Sequence, residues 1–441
     1  MKNPPVDELE VCLPKKKQVL TLSNVINYGM KNNPNTSISW AQAMQAAAVY
    51  GESISPLFPS IELRGNFSNV QETLQEGNLF LGYRQSTLNP EMEINYILFD
   101  FGTRTSAAQS ALEALHYSNF THNREIETVL MTLINDYFDY LYQKEAIRAL
   151  EADLLSAKAT VEAAEEKKKT GVASLADIVQ AQTVYLQTKL AFIGQKTDLE
   201  AAYANLAKDM GIPANFPFKT EDFPKTIKAN VPVKKLSSLI TYAKKHRQDF
   251  MAVNANQQSK LYAVDSAVAV QRPQLVGNFN IGKDYYSAHG GGQSHSFGSE
   301  EPYHYTARVT LSYPLFQGYF YTNLIRQSKS SLKEAEAQVK ALELDLISQV
   351  TTSHFNLKMA KETLETSNEF FETAKVNFDI ALTNYKAGTD TILDVLAAQA
   401  ALAEARAQVA SAKNVWFTSL ANLAYATGSL TSQTIASQGG K

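Results

Sequence analysis

Apolar residues step by seven along two long stretches of this chain. Leu133, Tyr140, Ile147, Leu154 and Val161 form one seam, and Ile178, Tyr185, Phe192, Leu199 and Leu206 form another. A heptad held this long predicts long helices packed knobs-into-holes, and their Ala-rich flanks allow close approach. Elsewhere the period is two, the signature of strands. Ile61, Leu63, Gly65 and Phe67 alternate with Glu62, Arg64, Asn66 and Ser68. Met92, Ile94, Tyr96 and Leu98 alternate with Glu93, Asn95 and Ile97. Leu275, Gly277, Phe279 and Ile281 alternate with Gln274, Val276, Asn278 and Asn280. The cleanest run sets Tyr303, Tyr305, Ala307, Val309, Leu311 and Tyr313 against His304, Thr306, Arg308, Thr310 and Ser312. Each run is about ten residues, the length a tilted strand needs to cross a bilayer. Aromatic residues gather at the run ends, among them Phe99, Phe101, Tyr285, Tyr286, Phe316, Tyr319, Phe320 and Tyr321, as in interfacial girdles. Any one run, taken alone, favours an ordinary sheet with one wet face.

The pattern is written twice. Gly171, Asp177, Ala204-Asn205-Leu206-Ala207 and Gly211 recur 217 residues later as Gly388, Asp394, Ala421-Asn422-Leu423-Ala424 and Gly428. The seams recur as Val350, Leu357, Leu364, Phe371, Phe378 and as Val395, Leu402, Val409, Trp416, Leu423. A fixed long period implies two copies of one structural unit. Since 217 is a multiple of seven, the copies share one helical phase. A helix from about Ser106 to Lys169 would be roughly 95 Å long. The helices alone also suit a structural or adhesive coiled-coil protein without channel activity. Four strands cannot close a membrane barrel, whose minimum is about eight, and an open edge in lipid leaves backbone groups unpaired. Spanning strands therefore require several chains to share one barrel, continued by a helical tube.

At this point the chain resembles a known family, the TolC-type outer-membrane efflux factors of Gram-negative bacteria, over about residues 20–428. The likeness rests on Thr170-Gly171-Val172-Ala173-Ser174-Leu175-Ala176-Asp177-Ile178 and on Gly388-Thr389-Asp390-Thr391-Ile392-Leu393-Asp394-Val395, which match the family's Gly-x-x-x-x-x-Asp-Val pattern, with Ile178 in place of Val in the first. Pro314-Leu315-Phe316-Gln317-Gly318 looks like its Pro-Leu-Phe-x-Gly strand-to-helix corner, and Leu98-Phe99-Asp100-Phe101-Gly102 is a looser copy.

The resemblance implies a homotrimer in the outer membrane, with a twelve-stranded barrel continued by a twelve-helix periplasmic tunnel closed at its tip. A periplasmic adaptor (membrane fusion) protein and an inner-membrane transporter would dock there. The function implied is a passive exit duct for a tripartite efflux pump or a type I secretion system, not an enzyme. Repeat one would cover 20–211, with strands about 57–70 and 90–101 and helices about 103–169 and 174–210. Repeat two would cover 249–428, with strands about 273–286 and 302–316 and helices about 319–386 and 391–427. Residues 212–248, broken by Pro213, Pro217, Pro224 and Pro232, would form an equatorial linker in which Phe216, Phe218 and Phe223 are buried and a helix spans about Leu236 to Lys245. Residues 1–19 would be an N-terminal extension, and the Ser-, Gln- and Gly-rich stretch 429–441 a mobile tail.

The candidate site is the tip. Gly171 and Gly388 end helices where glycine adopts a left-handed turn. Ser174-x-x-Asp177 and Thr391-x-x-Asp394 read as capping boxes that restart the next helix, with a lumen-facing role for the two carboxylates as the competing reading. Asp390 and Asp394 would stack as carboxylate rings in a trimer and select cations. Tyr385 falls where the family places a gating tyrosine, and Asp390 stands where it places a basic clamp residue. The gate would then rest on hydrogen bonds from Tyr385 and Lys386. Gly171, Val172, Ser174, Gly388, Thr389 and Thr391 are the expected adaptor-docking turns.

Composition changes this picture little. Net charge is −3, so nothing suggests a nucleic-acid partner. Mean hydropathy is −0.24, and alternating strands escape such averages. Residues 1–20 hold no apolar core before a cleavage site, which suggests numbering from near the mature terminus. Cys12 is the single cysteine, so no intrachain disulfide forms. Glu10 spoils the small-residue pattern that lipidation of Cys12 needs, and a plain thiol is expected. His289 and His295 flank Gly290-Gly291-Gly292 in an expected solvated loop between strands, without a metal site. No cofactor and no catalytic constellation is expected.

Overall fold

The change from period two to period seven coincides with the change from strand to helix. The computed structural model describes residues 12–14, 18–76, 79–171, 173–224, 227, 235–290, 293–295 and 303–430. In chain order, β1 (Val19–Leu20) precedes α1 (Leu22–Asn32) and α2 (Pro34–Ile54). A hairpin follows, β2 (Ser60–Glu76) and β3 (Leu79–Phe99), then the long helices α3 (Thr103–Lys169) and α4 (Leu175–Asp209). After β4 (Lys219–Thr220) come α5 (Leu236–His246) and α6 (Gln248–Ala269). Strands β5 (Gln274–Lys283), β6 (Tyr285–Gly290), β7 (Gln293–His295) and β8 (Tyr303–Ser312) lead into α7 (Phe320–Ala387) and α8 (Ile392–Thr427). The chain divides into two units, Met1–Ala41 with Phe120–Met251 and Ala341–Lys441, and Gln42–Asn119 with Ala252–Lys340.

The second unit holds one antiparallel sheet in which β2, β3, β5 and β8 are successive neighbours. Register aligns the side chains into rows across all four strands. Leu63, Met92, Ile281 and Tyr305 stand opposite one another, as do Ile61, Ile94, Phe279 and Ala307. The intervening rows are polar: Glu62, Glu93, Asn280 and Thr306, then Ser60, Asn95, Asn278 and Arg308. Because side chains alternate across a strand, one face of the sheet is apolar and the other polar. On the polar face Arg64 pairs with Glu62 and Glu93, and Asn278 donates to Asn95. The expected loop around His289 and His295 is partly strand instead. β6 pairs with the stretch of β3 from Tyr83 to Leu88, and β7 folds back on β6. Unpaired backbone along β3 is thereby satisfied, which a loop would not do. Gly291 and Gly292 lie outside the described residues.

Both strand-to-helix corners use two successive left-handed residues. Phe101 has φ 54° and Gly102 φ 95°, while Gly318 has φ 55° and Tyr319 φ 64°. These positions correspond across the 217-residue repeat, yet each copy places glycine at a different one. An aromatic residue is thus held in a costly conformation in each copy, and Asp100 stabilises the first corner by accepting from the Gly102 N–H and from the Arg104 N–H and guanidinium. Phe99, Phe101, Phe316, Tyr319 and Phe320 are exposed there.

The first unit is helical. Its main core joins Leu133, Ile134 and Phe138 of α3 to Leu206, the last seam residue of α4, to Met210 just after that helix and to Val25 and Ile26 of α1. Linker residues Phe218 and Phe223 are buried in it, with Phe223 and Phe417 both stacked on Phe138, while Phe216 is only partly buried. Leu430 is also in this core at 3 % exposure and Ser429 N–H bonds to the Ala424 carbonyl. The expected mobile tail therefore does not start at residue 429; residues 431–441 lie outside those described. Helices α1 and α5 are copies: Leu22-Ser23 and Tyr28 recur as Leu236-Ser237 and Tyr242. Their spacing is 214, not 217, so a three-residue slip hides them from a fixed-offset reading. Buried Arg247, which follows α5, is satisfied by Asp249, Gln349 and the Ala426 carbonyl.

Polar contacts tie α3 to α8 along their length, from Arg124 and Thr128 on Tyr425 to a run of rungs farther along. Lys413 Nζ lies 3.2 Å from Glu145, Arg406 pairs with Asp153, and Thr160 Oγ1 donates to Gln399 Oε1 at 3.0 Å. The rungs rise in number on one helix as they fall on the other, so the pair is antiparallel. They step by seven on α8, the same heptad that sets the apolar seam.

Candidate functional site

The two hairpin turns of the helical unit are built alike. After α3, Gly171 adopts φ 76° and its N–H bonds to the Lys168 carbonyl at 3.0 Å. After α7, Gly388 adopts φ 94°, with its N–H and that of Thr389 both on the Asn384 carbonyl. A Cβ on either glycine would meet open space, so the constraint is the backbone conformation alone. Val172 lies outside the described residues.

Both capping boxes form. The Ser174 hydroxyl accepts from the Asp177 N–H while Asp177 accepts from the Ser174 N–H at 3.1 Å. Thr391 and Asp394 repeat the arrangement, with the Thr391 N–H 2.9 Å from Asp394 Oδ2 and the Thr391 hydroxyl 2.6 Å away. These hydrogen bonds hold the Asp394 carboxyl below its ordinary pKa, because they favour the charged form. Asp390 sits half-buried in the turn before the box, and Thr389 is exposed with its hydroxyl on the Asn384 carbonyl at 3.1 Å.

Tyr385 lies in a core of small and branched residues with Ala164, Ala181, Ala381, Ile392 and Val395. It is 3 % exposed, and its hydroxyl has no hydrogen-bond partner among the described residues. The hydrogen bond expected from Tyr385 is therefore not made among the described residues. What covers the ring instead is Lys167, whose Nζ lies 4.2 Å from the centroid. Burial, then the nearby charge of Asp177, raises the tyrosine's pKa. The structure thus brings Tyr385 of the second copy to Lys167 and Asp177 of the first. Sequence reasoning missed Lys167. Its copy-two counterpart is Asn384, and that mismatch within the repeat was the available signal.

Cys12 is exposed and free, its backbone clasped by both ends of the Asn32 amide at 2.9 and 3.0 Å. Among the described residues no group of three His, Cys, Asp or Glu is arranged to hold a metal ion. Nor, among them, is any helix long and apolar enough to cross a membrane.

The family model described as outer membrane efflux protein matches residues 26–211 and 239–429. The second match begins inside α5, in keeping with α5 being the copy of α1. Protein CyaE of Bordetella pertussis is 22 % identical over 406 residues, 91 % of this chain and 81 % of that protein. Outer membrane protein TolC of Salmonella enteritidis is 20 % identical over 422 residues, 94 % of this chain and 83 % of its own length. Among solved structures, the outer-membrane channel OprN superposes with a TM-score of 0.82 at 16 % identity, over 93 % of this chain and 90 % of that one.

Proposed function

The chain belongs to the outer membrane efflux protein family, and we propose that it is the outer-membrane exit duct of a tripartite efflux pump or type I secretion system. The observation that carries this reading is the two-faced sheet: apolar rows run unbroken across β2, β3, β5 and β8 while the other face is polar. A barrel wall between lipid and water needs that arrangement, and a periplasmic coiled coil does not. Three copies contribute twelve strands to one closed barrel, leaving no open edge in lipid. The helical unit forms a tunnel through the periplasm.

The Gly171 and Gly388 turns form the tip that a periplasmic adaptor protein and an inner-membrane transporter engage. Tyr385 and Asp177 belong to the closure, and Asp390 and Asp394 ring the conduction path. Transport energy comes from the partner, and the duct itself is passive.

Reconstitution in planar bilayers tests the reading. Discrete conductance steps are expected from purified oligomers; a protein that forms oligomers but never conducts would overturn the duct.

A further inference from the structure

The sheet sorts its charges by face and by end. Glu62, Glu72, Glu91 and Glu93 all stand at polar-face positions of β2 and β3, and Arg64 and Arg308 share that face. Asp284 joins it too, since it accepts from the Asn89 amide at 2.6 Å and lies 3.3 Å from His304 Nδ1. Among the described residues the apolar face holds no carboxylate, and its lysine and arginine are Lys283 and Arg84. Both lie toward the end of the sheet away from α3 and α7. Lys283 stands opposite Tyr303, and its Nζ is 5.3 Å from that ring and 4.9 Å from the ring of Tyr285. Beyond it Phe67, Leu88 and Tyr285 form the last apolar row. A polar row of Asn69, Ser86 and Ser287 follows. Exposed Arg84 stands in the row after that, its Nε 3.4 Å from Asn69 Oδ1.

We propose that Lys283 and Arg84 form a binding site for the acidic headgroup of lipopolysaccharide. The inference rests on the duct reading, in which the apolar face meets lipid and the helices leave toward the periplasm. The end that carries Lys283 and Arg84 then faces the external leaflet, where lipopolysaccharide presents a phosphorylated diglucosamine followed by acidic sugars. Lys283 lies one row inside the apolar edge, and its alkyl stem carries the ammonium outward along Tyr285 and Tyr303. The tyrosine rings attract that ammonium without neutralising it. No anion of this face repels a phosphate.

Depth selects the ligand. Register puts Gly282 opposite Glu91, so Lys283 falls in the row of Pro90, six residues from Arg84 along β3. That is roughly 20 Å of strand, or about 15 Å along the membrane normal at a tilt of ~40°. The headgroup layer of a phospholipid leaflet is only about 5–8 Å deep and reaches one cation but not both. A headgroup several sugars deep reaches both.

Purified oligomers in a neutral detergent are titrated with fluorescently labelled lipopolysaccharide. Lys283→Gln combined with Arg84→Gln should raise Kd about ten-fold, as the loss of charge-assisted contacts to phosphate requires. Arg308→Gln, which removes a cation from the polar face, should leave Kd unchanged. Lipid A stripped of its phosphates should bind the native protein as weakly as lipopolysaccharide binds the double variant. Arg84 lies beyond the apolar rows, so Arg84→Gln alone should still weaken binding if Lys283→Gln prevents assembly. An unchanged Kd in the double variant, an equal loss in Arg308→Gln, or full affinity for dephosphorylated lipid A would overturn the site. Phosphatidylglycerol bound as tightly as lipopolysaccharide, and as sensitive to both substitutions, would assign the two cations to phospholipid and overturn it as well. Conductance of the same oligomers separates this site from the duct. Conducting oligomers indifferent to lipopolysaccharide would leave the duct standing, whereas oligomers that neither conduct nor bind would remove both.

Discussion

Two carboxyl groups show how the same repeat position is used differently. Asp136 on α3 faces Asp209 at the end of α4, and Asp136 Oδ2 is buried without a donor. Burial, then the neighbouring Asp209 carboxyl, pushes Asp136 up to about 8; Lys208 pulls it down and Asp139 adds to the rise. Asp209 also meets Lys208 at 3.5 Å, and its backbone carbonyl accepts from the Asn33 amide. The second copy has Ser353 and Ala426 at these positions, neither of which titrates. A carboxyl whose folded pKa is raised keeps its proton when the unfolded chain has lost it. The folded state then loses stability as pH rises from about 4 through about 8. Thermal unfolding of the native protein should accordingly show a lower Tm at pH 8 than at pH 5, and Asp136→Ser should flatten that decline. An undiminished decline in the variant would assign it to other groups. Asp394 has the opposite sign, because its lowered pKa supports the fold at neutral pH and ceases to do so as acid protonates it. Since Asp394 is committed to Thr391, Asp390→Ala should weaken cation selectivity in a salt gradient more than Asp394→Ala. A reversal potential unchanged in the double variant would take both residues out of the conduction path.

At the scale of elements, the turns carry the clearest tests. Gly388→Val forces a β-branched residue into φ 94°, where the open surroundings offer no steric relief for backbone strain. Oligomers should form at normal mass while export fails; normal export would show that this turn takes no part in docking. Thr391→Ala removes the cap that starts α8 and should cost about 1 kcal/mol in unfolding measurements. These turns were legible because Gly and Ser/Thr-x-x-Asp state local geometry directly, and the heptads were legible because a helix repeats its phase. Three things were not legible. Helix α5 is a copy of α1, but a three-residue slip broke the offset that exposed the rest of the repeat. The extra strands β6 and β7 lie around Gly290 and His295, where a Gly- and Ser-rich composition mimics a loop and strand pairing is decided by unpaired β3 backbone. Lys167 over Tyr385 is a contact between the two copies, and within the sequence only the mismatch of Lys167 with Asn384 across the repeat marks the position.

At the scale of the whole molecule, the decisive property is that four strands far apart in sequence agree on which side is apolar. Parity within β8 alone allows either an ordinary half-wet sheet or a membrane wall. Parity shared across β2, β3, β5 and β8, with Leu63, Met92, Ile281 and Tyr305 in one row, implies a continuous apolar surface. Its members are exposed in the single chain: Leu63 at 85 %, Tyr305 at 75 %, Leu311 at 70 % and Val309 at 66 %. A soluble sheet would cover such a surface with helices, whereas a barrel leaves it for lipid. Arginine on that face must lose its hydration on insertion. Val309→Arg and Leu311→Arg should therefore each cost about 2–4 kcal/mol of folding into bilayers if near the midplane, and less toward either interface. Thr310 lies between them and joins the polar face, opposite Val276 in register. Thr310→Arg should insert normally and alter conductance instead. Folding yield into lipid vesicles, measured for all three variants, reads the difference. Equal damage at all three positions would mean that both faces of β8 are desolvated, and the sheet would then be a packed core rather than the wall of a duct.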